Sequence, residues 1–148
     1  MKKRRKAREL VLQGLYAWEV SGGPVQRVIE DLEKWGGKDA EIQDFARKLL
    51  RKTIENKETL DRDVAMIVEN WEFERMALLD RLILRMALCE LLYFEEIPPK
   101  VTINEAIEIA KIYSTFQSGR FVNGILDSLY KKYKSENKIE KKGRGLKA

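Results

Sequence analysis

A chain of 148 residues is long enough for one compact domain or for two small subdomains that share a core. It contains no histidine and one cysteine, which removes the commonest general base, the usual metal ligands and any internal disulfide. No apolar stretch reaches the roughly 20 residues of a membrane span. We therefore expect a cytoplasmic protein that is not an enzyme and has no catalytic residues, metal site or cofactor.

The formal net charge of +5 is distributed unevenly along the chain. Residues 1–8 carry +6 and residues 131–148 carry +6, whereas residues 9–130 carry −7. The first of these runs contains Lys2, Lys3, Arg4, Arg5, Lys6 and Arg8. Basic ends on an acidic body predict a local anion-binding surface and a separate surface for a protein partner. A solvated, disordered N-terminus remains the alternative interpretation of the first run.

Helical periodicity dominates the sequence. Apolar residues spaced three and four positions apart predict four helices in its first half. Their expected bounds are Lys3–Glu19, Pro24–Trp35, a helix capped by Asp39 that continues through Ile54, and Leu60–Trp71. Glycine and proline end the first two helices, and a break near residues 56–59 separates the third helix from the fourth.

Three more helices are predicted after a connector at Glu72–Arg75. The segment Met76–Phe94 is the most apolar in the chain and should form the central, buried helix. Seven helices divided at this connector predict an all-α fold of two subbundles with three or four helices each.

Polar residues mark the starts of the last two helices. Thr102 and Glu105 have the spacing of a capping box, and Ser118 is a candidate cap for the final helix. That helix should bury Val122, Ile125, Leu126 and Leu129. From about residue 135 the sequence lacks an apolar face, which predicts a disordered basic tail over residues 135–148.

Two places combine an aromatic ring with arginine. Tyr16 follows Arg5 by eleven positions, about three helical turns, so both lie on one side of the first helix. Phe121 flanks the apolar stripe of the last helix, and Arg120 points further outward. An exposed ring beside a cation can stack on an unpaired nucleobase, although either ring could instead cover the edge of the core.

Asn123 and Gly124 stand inside the last predicted helix, where both residue types lower helix propensity. We expect tight packing or a hydrogen bond to explain them.

Four segments resemble, in order, the NusB family of bacterial transcription antitermination factors. They are Arg4–Glu9 with Gln13–Tyr16, Asp80–Leu91, Pro98–Lys111 and Arg120–Asp127. The similarity extends over residues 1 to about 134, and the last two segments are the most specific. The basic tail lies outside the family pattern.

The resemblance implies a single domain over residues 1–134, with two perpendicular helical subbundles at about 1–56 and 57–134. It implies a non-catalytic RNA-binding protein that recognises the single-stranded boxA RNA of ribosomal operon leaders. The implied protein partner is a small-subunit ribosomal protein, called NusE in this role, within the antitermination complex of RNA polymerase.

Carried over to this sequence, the family pattern implies an RNA-binding set and one partner-binding residue, Asp80. The RNA-binding set is Arg4, Arg5, Arg8, Tyr16, Gln117, Ser118, Arg120 and Phe121, to which the basic run adds Lys2 and Lys3. Family members often have an acidic residue in place of Gln117, so RNA binding should be, if anything, tighter here.

Two other interpretations stay open on the sequence. The chain could be the RNA-binding domain of an rRNA cytosine methyltransferase, a domain that resembles the same family. It could also be a structural helical adaptor, for which the aromatic and basic residues would be dispensable.

Overall fold

The computed structural model of the protein describes residues 2–146, apart from the side chains of Lys2, Asn70 and Trp71. Within this range the chain forms eight α-helices and one short 3-10 helix, without a strand. The helices are α1 (Lys2–Ser21), α2 (Val25–Trp35), α3 (Ala40–Glu55), α4 (Lys57–Val68), α5 (Asn70–Arg75), α6 (Leu78–Tyr93), α7 (Pro99–Tyr113) and α8 (Phe116–Ser135), followed by the 3-10 helix Gly143–Leu146. The predicted all-α class is confirmed.

The chain divides into two compact units between Glu55 and Asn56. The first unit contains α1–α3, and α1 packs against both other helices. The apolar stripe of α1, which includes Ala7, Val11 and Leu15, is fully buried. Burial of that stripe fixes the direction in which the basic residues of α1 point.

Local signals in the first unit agree with the sequence. The backbone N–H of Ile42 donates to Asp39 Oδ1 at 3.1 Å, so Asp39 caps α3 as predicted. The expected break after the third helix falls at Asn56, between α3 and α4.

The second unit is organised around α6. Every residue from Leu82 to Leu91 is buried, as the apolar composition predicts for a central helix. The polar side chains of this stretch are paired with other helices. Arg85 donates from Nε and Nη2 to the two carboxylate oxygens of Asp61 on α4, at 2.8 and 2.9 Å.

The predicted start of α7 is wrong. The helix begins at Pro99, with Pro98 as its N-cap, so Thr102 lies one turn inside it. Thr102 is buried, and its hydroxyl donates to Glu90 Oε1 at 3.0 Å. Pro99 at the first helical position favours a helix start there without a side-chain cap. The Thr102 hydroxyl instead satisfies the buried carboxylate of Glu90 on α6.

The predicted connector at residues 72–75 is part of a short helix, α5. It follows Glu69, which has a positive φ of 66°. That change of backbone direction separates α4 from α5, and no glycine or proline marks it in the sequence.

The basic tail, for which the sequence predicts disorder, contacts the carboxyl end of α6 and the residues that follow it. Lys141 Nζ donates to the backbone carbonyls of Glu90 and Phe94 at 3.2 and 2.8 Å, at the carboxyl end of α6. The N–H of Lys142 donates to Glu95 O at 3.0 Å. Gly145 lies so close to that same carbonyl that a Cβ atom could not fit. A lysine at a helix carboxyl end also suits the helix dipole, and partial burial lowers the pKa of Lys141.

Removing the Asp61 carboxylate should destabilise the protein strongly, because Arg85 is almost fully buried. We expect Asp61→Ala to lower the free energy of unfolding by about 3 kcal/mol and the melting temperature by about 6–12 °C. Asp44→Ala is the matched control, since Asp44 pairs with Arg47 at 3.2 Å on the surface. The control should cost less than about 1 kcal/mol. Equal losses in thermal melting of the two variants would contradict this assignment.

Candidate nucleic-acid interface

The basic residues of α1 differ greatly in exposure. Arg8 is 3% exposed, whereas Arg4 and Arg5 are half-buried. The Cζ atoms of Arg4 and Arg8 lie 4.3 and 5.4 Å from the centre of the Phe45 ring on α3. Both guanidinium groups therefore pack against one aromatic ring, a favourable cation–π arrangement. The sequence analysis did not identify this role of Phe45.

Lys3 is held by two carboxylates. Its ammonium lies 3.1 Å from Asp39 Oδ2 and 3.4 Å from Glu41 Oε2. Hydrogen bonds to Asp39 and then to Glu41 raise the pKa of Lys3. The backbone hydrogen bond from Ile42, followed by that from Lys3, lowers the pKa of Asp39. The two carboxylates thus partly neutralise the charge that Lys3 brings to this surface. The side chain of Lys2 lies outside the described residues.

Tyr16 is exposed on α1. Helical geometry puts it within about 20° of Arg5, on the same side of the helix. The first unit therefore presents Tyr16 and Arg5 on one side of α1. Arg4, which packs on Phe45, is half-buried on the same helix, and Arg8 lies beneath the surface.

The second set of predicted residues lies at the start of α8. The N-cap is Thr115, whose side chain accepts from the N–H of Ser118 at 3.0 Å, so the predicted cap at Ser118 is wrong. Gln117, Arg120 and Phe121 are exposed, and Phe121 is 39% accessible.

Ser118 is buried and faces the protein interior. Its hydroxyl donates to Asp80 Oδ2 at 3.1 Å and lies 3.0 and 2.9 Å from the hydroxyls of Ser114 and Thr115. This cluster fixes the first turn of α8 against α6. Its position is unsuited to direct contact with a large ligand.

Asp80, the predicted partner-binding residue, is only 8% exposed and lies in the first turn of α6. Its Oδ2 accepts from Ser118, and its Oδ1 is buried without a hydrogen-bond partner among the described residues. An acidic group in the first turn is favoured by the helix dipole. The structure thus joins a predicted partner residue to a predicted RNA residue through one hydrogen bond.

Phe116 is an aromatic residue that sequence reasoning missed. It is 68% exposed, and Lys111 Nζ lies 5.6 Å from its ring centre. The misplaced cap at Ser118 put Phe116 in a loop. With Thr115 as the cap, Phe116 is the first residue of α8 and precedes Arg120 by one turn.

Over residues 2–146, no group of three or more Cys, Asp or Glu side chains could hold a metal ion. The helices described there include none with the length and apolar character needed to cross a membrane.

The chain is a small all-α protein built from two helical units. The model of the NusB family matches residues 5–131. The chain is 45% identical over 148 residues to the transcription antitermination protein NusB of Chloroherpeton thalassium, with 97% of this chain and 68% of that protein covered. It therefore belongs to the NusB family.

Solved structures agree. T. maritima NusB is 36% identical, with a TM-score of 0.81 over 91% of this chain and 95% of that chain. A chain in the crystal structure of the antitermination factors NusB and NusE in complex with dsRNA is 25% identical. Its TM-score is 0.81, over 90% of this chain and 99% of that chain.

The hydrogen bond between Asp80 and Ser118 predicts energetic coupling between α6 and α8. We expect Asp80→Ala and Ser118→Ala each to lower the free energy of unfolding by about 1–3 kcal/mol. In urea denaturation the double variant should lose at least about 0.5 kcal/mol less than the sum. Asp80→Ala combined with Thr53→Ala is the control and should be additive, because Thr53 donates to Leu49 O in the other unit. Additive losses for Asp80 and Ser118 would contradict the coupling.

Proposed function

We propose that the protein is a transcription antitermination factor that binds single-stranded, boxA-type RNA of ribosomal operon leaders. It would do so together with the small-subunit ribosomal protein NusE, in the antitermination complex of RNA polymerase. Family membership supports this role, as do the name of its relatives and the NusB–NusE complex with RNA among the similar structures. The role is regulatory, requires no catalysis, and is exercised in the cytoplasm.

The observation that carries the proposal is that Arg120 and Phe121, consecutive residues near the start of α8, are both exposed. Phe121 lies beside the buried stripe of the helix, so its ring is not needed to fill the core. A flat exposed ring next to a guanidinium group can stack on a base while the cation binds the phosphate. Tyr16 and Arg5 lie on the same side of α1, about 16 Å apart along the helix axis, so they could contact different nucleotides of one strand.

The proposed RNA-binding residues fall into two groups by exposure. Direct contacts are assigned to the more accessible side chains: Lys3, Arg4, Arg5, Tyr16, Gln117, Arg120 and Phe121. Lys2, whose side chain lies outside the described residues, is proposed as a contact on its charge alone. Arg8 and Ser118 are buried, and we propose that they act through others. Arg8 packs against Phe45 beside Arg4, and Ser118 fixes the first turn of α8.

Phe121→Ala tests the proposal. A stacking ring contributes about 1–3 kcal/mol to binding, so the affinity for a single-stranded leader RNA should fall roughly 5- to 150-fold. Truncation of a core phenylalanine would cost about 3–5 kcal/mol of stability. Phe121 lies at the edge of the core, so the melting temperature should change little. Both quantities are measured on the same preparation, by RNA titration and thermal melting.

Met66→Ala is the matched control, since Met66 is an exposed apolar residue on α4. It should leave RNA affinity and stability unchanged. Wild-type affinity in the Phe121 variant, or equal binding of duplex and single strand at matched salt, would contradict the proposed binding mode.

The partner surface is proposed to include the start of α6, at Asp80. Asp80→Asn keeps an oxygen that can accept from Ser118 and removes the charge. If the charge serves the ribosomal protein, association with that protein should weaken several-fold while the isolated chain retains its RNA affinity. Surface-immobilised partner protein provides the measurement. A loss of RNA affinity alone would refute the partner role of Asp80.

A further inference from the structure

The outer face of α8 continues beyond the residues proposed above. Phe116, Arg120 and Gly124 follow one another at intervals of four residues, so they deviate by only about 40° per step around the helix. All three are exposed, whereas Val122 and Leu126 are buried on the opposite side. We call the side of α8 formed by Phe116, Arg120 and Gly124 the α8 outer face.

Gly124 is not explained by the fold. A Cβ atom added there would meet no heavy atom within 4 Å, and its backbone does not have a positive φ. The expected tight packing at Gly124 is therefore absent. Glycine destabilises a helix interior relative to alanine. The missing side chain instead lets the backbone of another molecule come close.

Gly119, five residues earlier, provides the contrast. A Cβ atom at Gly119 would lie 3.1 and 3.2 Å from Cγ and Cε of Lys111 and 3.4 Å from Cγ2 of Ile107. Packing between α7 and α8 thus accounts for Gly119. The same helix thus contains one glycine whose hydrogen faces a neighbouring helix and one whose hydrogen faces open space.

The chemistry around Phe116 indicates the occupant of this face. Its ring is 68% exposed and lies beside the ammonium of Lys111. Lys111 is partly balanced by Glu108 at 3.7 Å, so Arg120 is the main cation. Asp127, a carboxylate just beyond the face, is paired with Lys131 at 3.0 Å. An exposed ring with neighbouring cations matches a nucleobase and its phosphate.

We propose that single-stranded RNA lies along the α8 outer face, with one base stacked on Phe116 and the sugar–phosphate backbone in closest approach at Gly124. Arg120 lies between these two points and binds a phosphate. The inference rests on the proposed function and adds two residues that it does not include. The proposed contacts then span about two helical turns of α8, from Phe116 to Gly124.

Gly124→Ala and Phe116→Ala in the full chain test the proposal, with a labelled single-stranded leader RNA as the probe. Gly124→Ala adds a methyl group into open space, so the melting temperature should rise by about 2–4 °C through helix propensity. The same methyl group should lower RNA affinity about fivefold or more, as expected for an overfilled contact. Phe116→Ala should lower RNA affinity at least about fivefold.

Ser128→Ala is the matched control for the glycine, because Ser128 is exposed on α8 one turn past the face. It should favour the helix without reducing RNA affinity. A Gly124→Ala variant that is more stable and binds RNA like the wild type overturns the inference. So does a variant that loses only association with the ribosomal protein, since the face would then belong to that partner. If wild-type protein and Phe121→Ala behave as proposed above, such results overturn this inference alone. A wild-type chain that does not bind the RNA overturns the proposed function itself.

Discussion

The second unit depends on the burial of α6 from Leu82 to Leu91. An unpaired buried polar group costs stability, so polar side chains on a buried helix are favoured to pair with neighbouring helices. Three polar side chains of α6 pair in this way, each with a different helix. Asp80 connects α6 to α8 through Ser118, Arg85 to α4 through Asp61, and Glu90 to α7 through Thr102. The hydrogen bonds of α6 therefore help to fix the positions of α4, α7 and α8 along it.

This constraint explains which parts of the fold the sequence could predict. The apolar periodicity of α1, α3 and α6 is a local signal, and it identified the helices and the central position of α6. Thr102 and Ser118 misled the prediction because a hydroxyl that caps a helix looks the same in sequence as one that satisfies a buried carboxylate. The choice is made by distant residues, Glu90 and Asp80, which helical periodicity does not connect to them. The placement of the tail depends likewise on carbonyls about 50 residues away.

In the candidate site, too, local sequence signals were predictable and contacts between distant residues were not. Residue type and helical spacing were enough to nominate Arg5, Tyr16, Arg120 and Phe121, whose roles remain predictions. Residue type and helical spacing could not predict how exposed each side chain is. Arg8 carries the same charge as Arg5 but is buried against Phe45, and the identity of its ring partner on α3 is a tertiary fact. Gly124 shows the reverse case, since an unfavourable residue in a helix could be noticed from sequence but only the structure shows the open space around it.

The packing of Arg4 on Phe45 has a consequence for the entropy of binding. An unrestrained arginine side chain has about 2 kcal/mol of rotamer entropy to lose when it is fixed on a ligand. A guanidinium group held 4.3 Å from a ring centre has already lost part of that freedom during folding. Association with an anion therefore orders fewer torsions at Arg4 than at a cation on a mobile chain. In this sense Phe45, which need not touch the ligand, makes the basic helix a preorganised surface.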